Sequence, residues 1–549
     1  MSKRAKIISL ILLSVVFIAC LFLSRIQHQA VSIQLVQGEY SELSVTARLQ
    51  SEDSLISVNA FQSDSGNYYL FLPSCAQGRF LSVGEGISLD IDGKSEGAWP
   101  AAIVESGMSL TFGEGQTLTI LTGSEIPSVF LTLKNDLSYI SADKTRSDSG
   151  QAVILDADGK SVYDGGLKRI KGRGNTSWEQ EKKPFNIRLE NTVKLPGTDA
   201  VDTDFSLVTS TDITFLRNRI SNGMSEVMEL SYVKGTCVNL YINNSFEGVY
   251  EIYQKIGPDS LDIWDLEAET EQLNQYQDSL SQQTTGMTLD NWNQSITGKW
   301  WDYEKNPDDI TGGYILEMDH PARYADEPSG FSLDSGVCVV AKSPSYLSEA
   351  QYQYISTYTQ DCENAMFSSV GKEDYGELSQ YIDVSSFVAK YLVEEVSKNI
   401  DCSSTSQYFY KDQDGVLYAG PAWDYDWAYG VGRVQEGIDY LDPEGFSARD
   451  IPGTLIWWQL LYYNNGFYHD IVTTYEETLY PYLNRLTQTE LSCWEEDMAE
   501  SAVMDYLRWG QCNSSDLEEI RNAYHSQVKM VSDFLSVRKE FLYREWIEE

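Results

Sequence analysis

The sequence predicts an α+β protein of bilobal architecture, and three observations carry that prediction. The first half alternates apolar and polar residues with period two between frequent Gly, Asp and Ser, the signature of strands and turns. The second half places apolar residues at helical spacing. At 549 residues the chain is also too long for one hydrophobic core. Its composition, 42% hydrophobic and 12% aromatic, is that of a globular protein and not of a disordered one. No fixed-period repeat is evident.

The elements follow in chain order. Met1-Ser-Lys-Arg-Ala-Lys6 places three cations ahead of an apolar run from Ile7 to Leu23. Such a run approaches the length of a membrane span, and the charge order predicts a cytoplasmic N-terminus. Residues 1–25 are therefore expected to be a single-pass anchor with an extracytoplasmic body. Phe17-Ile-Ala-Cys20 loosely resembles a lipobox that would make Cys20 a lipid attachment point, but Leu21-Phe-Leu23 continues the apolar run and favours the uncleaved anchor.

Residues 31–125 form an expected β-rich module, with strands such as Leu43–Leu49 and Asn67–Leu72 and a last strand and linker over Leu118–Pro127. Residues 126–430 form the expected core. Val129–Leu133, Ala152–Leu155, Phe185–Leu189 and Cys237–Ile242 are predicted strands, and Phe215 to Leu230 one helix. Asn243–Gly248 is a predicted hairpin turn, and the polar stretch over about 267–309 a surface insertion. Asp383 opens an amphipathic helix over Val384–Ser397. Residues 431–549 are predicted to be a helical C-terminal part, with helical intervals from Pro452 through Trp546.

Charge and residue counts exclude several function classes. Lys and Arg total 40 against 82 Asp and Glu, a formal charge of -42, so phosphate backbones are repelled and no nucleic-acid partner is expected. The seven cysteines beyond the anchor contain no CxxC pair, which argues against structural zinc, and their odd number leaves at least one outside any disulfide. Four scattered histidines support neither a histidine metal cluster nor a Ser-His-Asp hydrolase. Thirty-five tyrosines and 13 tryptophans suggest aromatic packing or a polar-aromatic binding surface.

Three clusters can carry chemistry. In Lys171-Gly-Arg-Gly-Asn-Thr-Ser-Trp178 and Lys182-Lys-Pro-Phe-Asn-Ile-Arg188, glycines around Arg173 and lysines entering a strand could embrace phosphates; a solvated Arg-Gly loop is the plainer alternative. Asp401 follows the predicted Val384–Ser397 helix, and a helix-terminal or turn aspartate is the plainer alternative to a chemical role. Gly420-Pro-Ala-Trp-Asp-Tyr-Asp-Trp-Ala-Tyr-Gly430 sets Asp424 and Asp426 on alternate residues among aromatics, a plausible divalent-cation site because hard cations take oxygen ligands.

Taken with Leu216-Arg-Asn218, Gly248-Val-Tyr250, Gly313-Tyr-Ile-Leu-Glu317 and Asn399-Ile-Asp401, these clusters form an ordered set that resembles the spore-coat-protein-H (CotH) kinase-like family over roughly Pro127 to Gly430. The resemblance implies an atypical bilobal protein-kinase-like fold with a helical C-terminal part, and transfer of phosphate from ATP to serines of envelope or spore-coat proteins. It further implies that Asp401 is catalytic, orienting or deprotonating the acceptor hydroxyl. Asp424 and Asp426 would hold Mg²⁺ or Mn²⁺, and Arg173 and Lys183 would bind the nucleotide. Two departures stand out: Ser406 occupies the place of a second metal-ligating asparagine, with Gln407 displaced by one, and Gln254 replaces a common glutamate. The alternative is a non-catalytic pseudokinase that binds a protein or glycan partner at the surface.

Overall fold

Alternation in the first half builds sheets, and one of them closes on itself. The computed structural model describes residues 32–37, 45–50, 55–83, 87–91, 94–96, 101–112, 115–209, 211–289, 295–402, 404–435, 437–450 and 456–548. The expected anchor over residues 1–25, Cys20 included, lies outside the described residues. Among the described residues no helix is long and apolar enough to cross a membrane. The chain divides into two units that interleave along the sequence: Met1–Thr209, Thr236–Ile252 and Asp497–Ile520 in one, and Ser210–Gly235, Tyr253–Glu496 and Arg521–Glu549 in the other.

The first unit holds two sheets over residues 32–122, of five and six strands, followed by a seven-stranded closed barrel. The barrel strands are Ser128–Leu133, Ser147–Leu155, Ser161–Gly172, Phe185–Lys194, Val201–Val208, Gly235–Ile242 and Ser245–Gln254. Closure comes from parallel pairing of Ser128–Leu131 with Asn239–Ile242. Period-two patterning decides which side chains fill the barrel: Phe185, Ile187 and Leu189 are buried, whereas Arg188 between them is exposed. They pack with Val129, Ile154, Ile170, Phe205, Leu240 and Ile252 in one core. Asn243 and Asn244, at φ 49 and 68, form the two-residue turn between the last two strands.

The second unit is built on a seven-stranded sheet with helices. In spatial order its strands are Gln282–Leu289, Ser295–Trp301, Gly330–Ser332, Cys338–Ser343, Tyr314–Met318, Gln407–Lys411 and Leu417–Ala419. The polar stretch expected as an insertion thus supplies a helix, Leu266–Leu273, and two strands at one edge of the sheet. Strands near a sheet edge can rest on backbone pairing and a few apolar contacts, here Ile296 against Tyr324, Cys338 and Val340 and Trp300 and Trp301 against Tyr352 and Tyr346, so a polar composition does not preclude them.

Helix Val384–Ser397 starts where Asp383 accepts the Ser386 N–H at 2.8 Å. It is buried almost throughout, because both its apolar residues and its charged ones have partners inside. Glu395 pairs with Arg538 of helix Leu517–Tyr543 at 2.7 Å, both side chains fully buried, and also accepts the Ser447 and Arg449 N–H groups at 2.6 and 3.0 Å. The seven cysteines beyond the anchor form no disulfide.

Candidate active site

Within the second unit, one hairpin brings Asp401 and Asp424 together. Strands Gln407–Lys411 and Leu417–Ala419 pair antiparallel, Phe409 opposite Ala419, and Gly420 N–H continues the ladder to Tyr408 O at 2.8 Å. Asp401 enters this hairpin and Asp424 leaves it, so both emerge from its open end. Asp401 begins a tight turn in which the N–H groups of Ser404 and Thr405 return to its carbonyl at 3.0 and 3.2 Å. Its own N–H is held by Asn399 Oδ1 at 3.1 Å.

Asp424 sits at φ +71, a left-handed conformation that non-glycine residues rarely adopt and that the surrounding bonds must hold. Helix Arg217–Val227 supplies those bonds. Asn218 Oδ1 accepts the Tyr425 N–H at 2.9 Å, and Arg217 Nε donates to Ala428 O at 3.0 Å. The helix start is itself fixed by Asp212, a buried carboxylate that accepts the Leu216 and Arg217 N–H groups at 3.1 and 2.9 Å and pairs with the Arg217 guanidinium. The motif Leu216-Arg-Asn218 therefore serves as the brace of the Asp424–Ala428 loop.

The electrostatics record crowded negative charge. Burial and then Asp424 push the Asp401 carboxyl up to about 7, against the opposing charge of Arg323. Burial and then Asp424 also hold Asp426 well above the ordinary carboxylate range, opposed by the Thr211 N–H that Asp426 Oδ2 accepts at 3.3 Å. Arg323, not foreseen from sequence, donates to Thr405 Oγ1 at 2.6 Å and lies 3.3 Å from Asp319. Thr405 in turn donates to Asp319 Oδ1 at 2.6 Å.

Ser406 and Gln407 acquire clear placements. The Ser406 hydroxyl donates to Asp424 Oδ2 at 2.9 Å, so the residue in the place of a metal-ligating asparagine touches the proposed metal ligand itself. Gln407 turns into the interior, where Glu394 Oε1 accepts from it at 3.4 Å, from Lys390 at 2.6 Å and from Tyr425 OH at 2.8 Å. This buried network lies beneath the hairpin end, and its Lys390 and Glu394 are not singled out by sequence patterning, since helix spacing alone marks them as an ordinary ion pair.

Among the described residues no group of three or more His, Cys, Asp or Glu could hold a metal ion. The donor set does not form an all-protein cage. It fits a hard cation held by one or two carboxylates that takes its remaining oxygens from water and substrate phosphate, the habit of Mg²⁺. The part of the Asp401 and Asp426 elevation that comes, after burial, from Asp424 is the repulsion such a cation would relieve.

The two basic candidates lie in the barrel unit. Arg173 lines an open hollow of about 530 Å³ with Lys144, Thr145, Lys171, Gly172, Gly174 and Asn186. Lys183 lies over the Trp178 ring, 5.2 Å from its centroid, and donates to the Trp178 carbonyl at 2.6 Å. Its neighbour Lys182 is more deeply placed: it donates to Val249 O at 2.6 Å and pairs with Asp505, a fully buried carboxylate that also accepts the Val249 N–H at 2.7 Å. A side chain at Gly248 (φ +103) would meet Asp505 at 2.3 Å, which explains the glycine of Gly248-Val-Tyr250. Nothing local announces Asp505, 323 positions from Lys182.

A family model described as CotH kinase protein covers residues 170–542, well over half of the chain. No curated protein matches the chain.

Proposed function

The chain belongs to the CotH kinase family, and we propose that it is an extracytoplasmic protein kinase that transfers phosphate from ATP to serines of envelope or coat proteins. The observation that carries this reading is the approach of Asp401 and Asp424 at one hairpin end, where the Asp424 charge, after burial, raises the Asp401 carboxyl. Asp401, half-buried and held by its own turn, orients the acceptor hydroxyl and takes its proton. Asp424 is the metal ligand, kept in its strained conformation by Asn218 and Arg217 and touched by Ser406. Asp426 supports it from the Thr211 side. Mg²⁺, when bound, would neutralise charge on the nucleotide phosphates. Arg173 and Lys183 are the proposed nucleotide contacts in the barrel unit, and Lys182 stiffens the strand entry beside Lys183.

The test is transfer of radiolabel from ATP to the chain itself or to a serine-rich acceptor, with Mg²⁺ or Mn²⁺. Asp424→Asn should reduce labelling by about a thousandfold. Labelling equal to wild type would remove Asp424 from the metal site. One observation favours the alternative, a non-catalytic surface protein: Ser406, a neutral hydroxyl, stands where a second metal ligand belongs. That reading expects no metal-dependent label in any variant.

A further inference from the structure

We infer that the hollow beside the Gly172–Trp178 loop is a phosphoryl-binding site in which Lys144, Lys171 and the Asn186 amide act together with Arg173. The inference deepens the reading of Arg173 as a nucleotide contact and rests on that reading only for the choice of carrier. The lining contains three cations and no carboxylate, in a chain with 82 acidic residues against 40 basic ones. The adjacent Asp143 is not among the lining residues; it is engaged from the rim by Thr145, accepting its N–H at 2.9 Å and its hydroxyl at 2.7 Å, and lies 3.8 Å from Arg146.

The donors come from three separate segments of the barrel unit, which suits a tetrahedral oxyanion better than a flat carboxylate. Lys144 precedes strand Ser147–Leu155, Lys171 and Arg173 end strand Ser161–Gly172 and open its loop, and Asn186 lies in strand Phe185–Lys194. Ser206 donates to Asn186 Oδ1 at 2.8 Å, so the amide presents its NH₂ donors to the hollow. Lys144 Nζ spends one donor on Asn175 Oδ1 at 3.2 Å, which steadies the ammonium and leaves two others.

The frame around these donors is rigid. A side chain at Gly172 would lie 2.5 Å from the Trp178 ring and 3.1 Å from the Lys144 backbone, so only glycine lets the loop fold back this closely. Gly174, at φ +77, would meet Ser177 Oγ. Trp178 in turn stands edge-on to Phe185 of the barrel core, centroids 6.4 Å apart. Donors fixed before binding lose little freedom on taking up a ligand.

Two carriers share this chemistry, free inorganic phosphate and the phosphates of a nucleotide. The full chain is titrated by calorimetry with inorganic phosphate and separately with ATP, both without metal, as wild type, as the Lys144→Ala/Lys171→Ala double variant and as Asp424→Asn. Phosphate should bind wild type and Asp424→Asn alike, and about tenfold more weakly to the double variant at an unchanged melting temperature. ATP weakened in parallel identifies the nucleotide as carrier; phosphate alone weakened keeps the site and assigns it to the free anion. Absence of phosphate binding to wild type, or equal binding by wild type and double variant, overturns the inference. The kinase reading is separable: a phosphate-binding chain that transfers no label loses only that reading, and a labelling chain that binds no phosphate loses only the hollow.

Discussion

The barrel loop Gly172–Trp178 and the hairpin end carrying Asp401 and Asp424 concentrate charge of opposite sign by different means. The barrel gathers cations in the open, on a loop whose shape is fixed by missing side chains: two glycines admit Trp178 and Ser177 where a Cβ could not fit. The hairpin gathers carboxylates in a half-buried setting and holds them with side-chain bonds to Asn218, Arg217, Ser406 and Thr211. Cations in water need only geometry. Carboxylates drawn out of water and toward each other need a scaffold of donors.

The contrast can be broken most severely through the scaffold. Arg538→Met leaves Glu395 charged and buried without its partner, and should cost about 3–5 kcal/mol in urea unfolding. Under native conditions it should leave phosphate binding by the barrel intact. In the barrel, Gly172→Ala forces a methyl against Trp178 and should cost about 1–3 kcal/mol, with phosphate binding lost before any change in metal response.

The carboxylate side should also show itself in pH dependence. Asp401 has an ordinary value of 3.8 and a folded value of about 7. Between those limits the folded protein keeps a proton that the unfolded chain has released. Stability should therefore fall as pH rises through that window. Asp401→Asn should reduce the slope of the urea midpoint between pH 5 and pH 7, with a residual slope from Asp426 and from the buried Glu317, both raised in the same direction. A midpoint that rises over this range in wild type would show that Asp401 is not held protonated.

The smallest effect concerns Ser406. It occupies φ +55, a conformation that asparagine tolerates better than serine, so Ser406→Asn can be accommodated. It should tighten Mg²⁺-dependent nucleotide binding several-fold, worth about 1 kcal/mol, while Ser406→Ala should loosen it by a similar amount. Binding unchanged in both would place Ser406 outside the metal's reach.

Much of this was legible in sequence where the cause is local. Helix Val384–Ser397 and its Asp383 cap follow from apolar spacing and one N-terminal acid. The barrel strand Phe185–Lys194 follows from alternation. The edge strands within the polar stretch at 267–309 were not legible, because backbone pairing leaves little mark on composition. Nor were Asp505, Asp212 and Arg323, whose importance lies in the partners they meet. Two of those partners, Lys182 for Asp505 and Thr405 for Arg323, are far away along the chain. Short-range pattern found the Asp-Tyr-Asp run, but the helix that braces it acts over some two hundred positions.

The most direct measurement is calorimetric titration of the full chain with ATP at fixed Mg²⁺, compared with ATP alone and with Asp424→Asn. Two carboxylates converging on a shared cation predict a saturable heat that Mg²⁺ enhances in wild type and that loses its Mg²⁺ dependence in the variant. Binding that ignores Mg²⁺ in wild type, or an enhancement that survives the loss of the Asp424 charge, would contradict it.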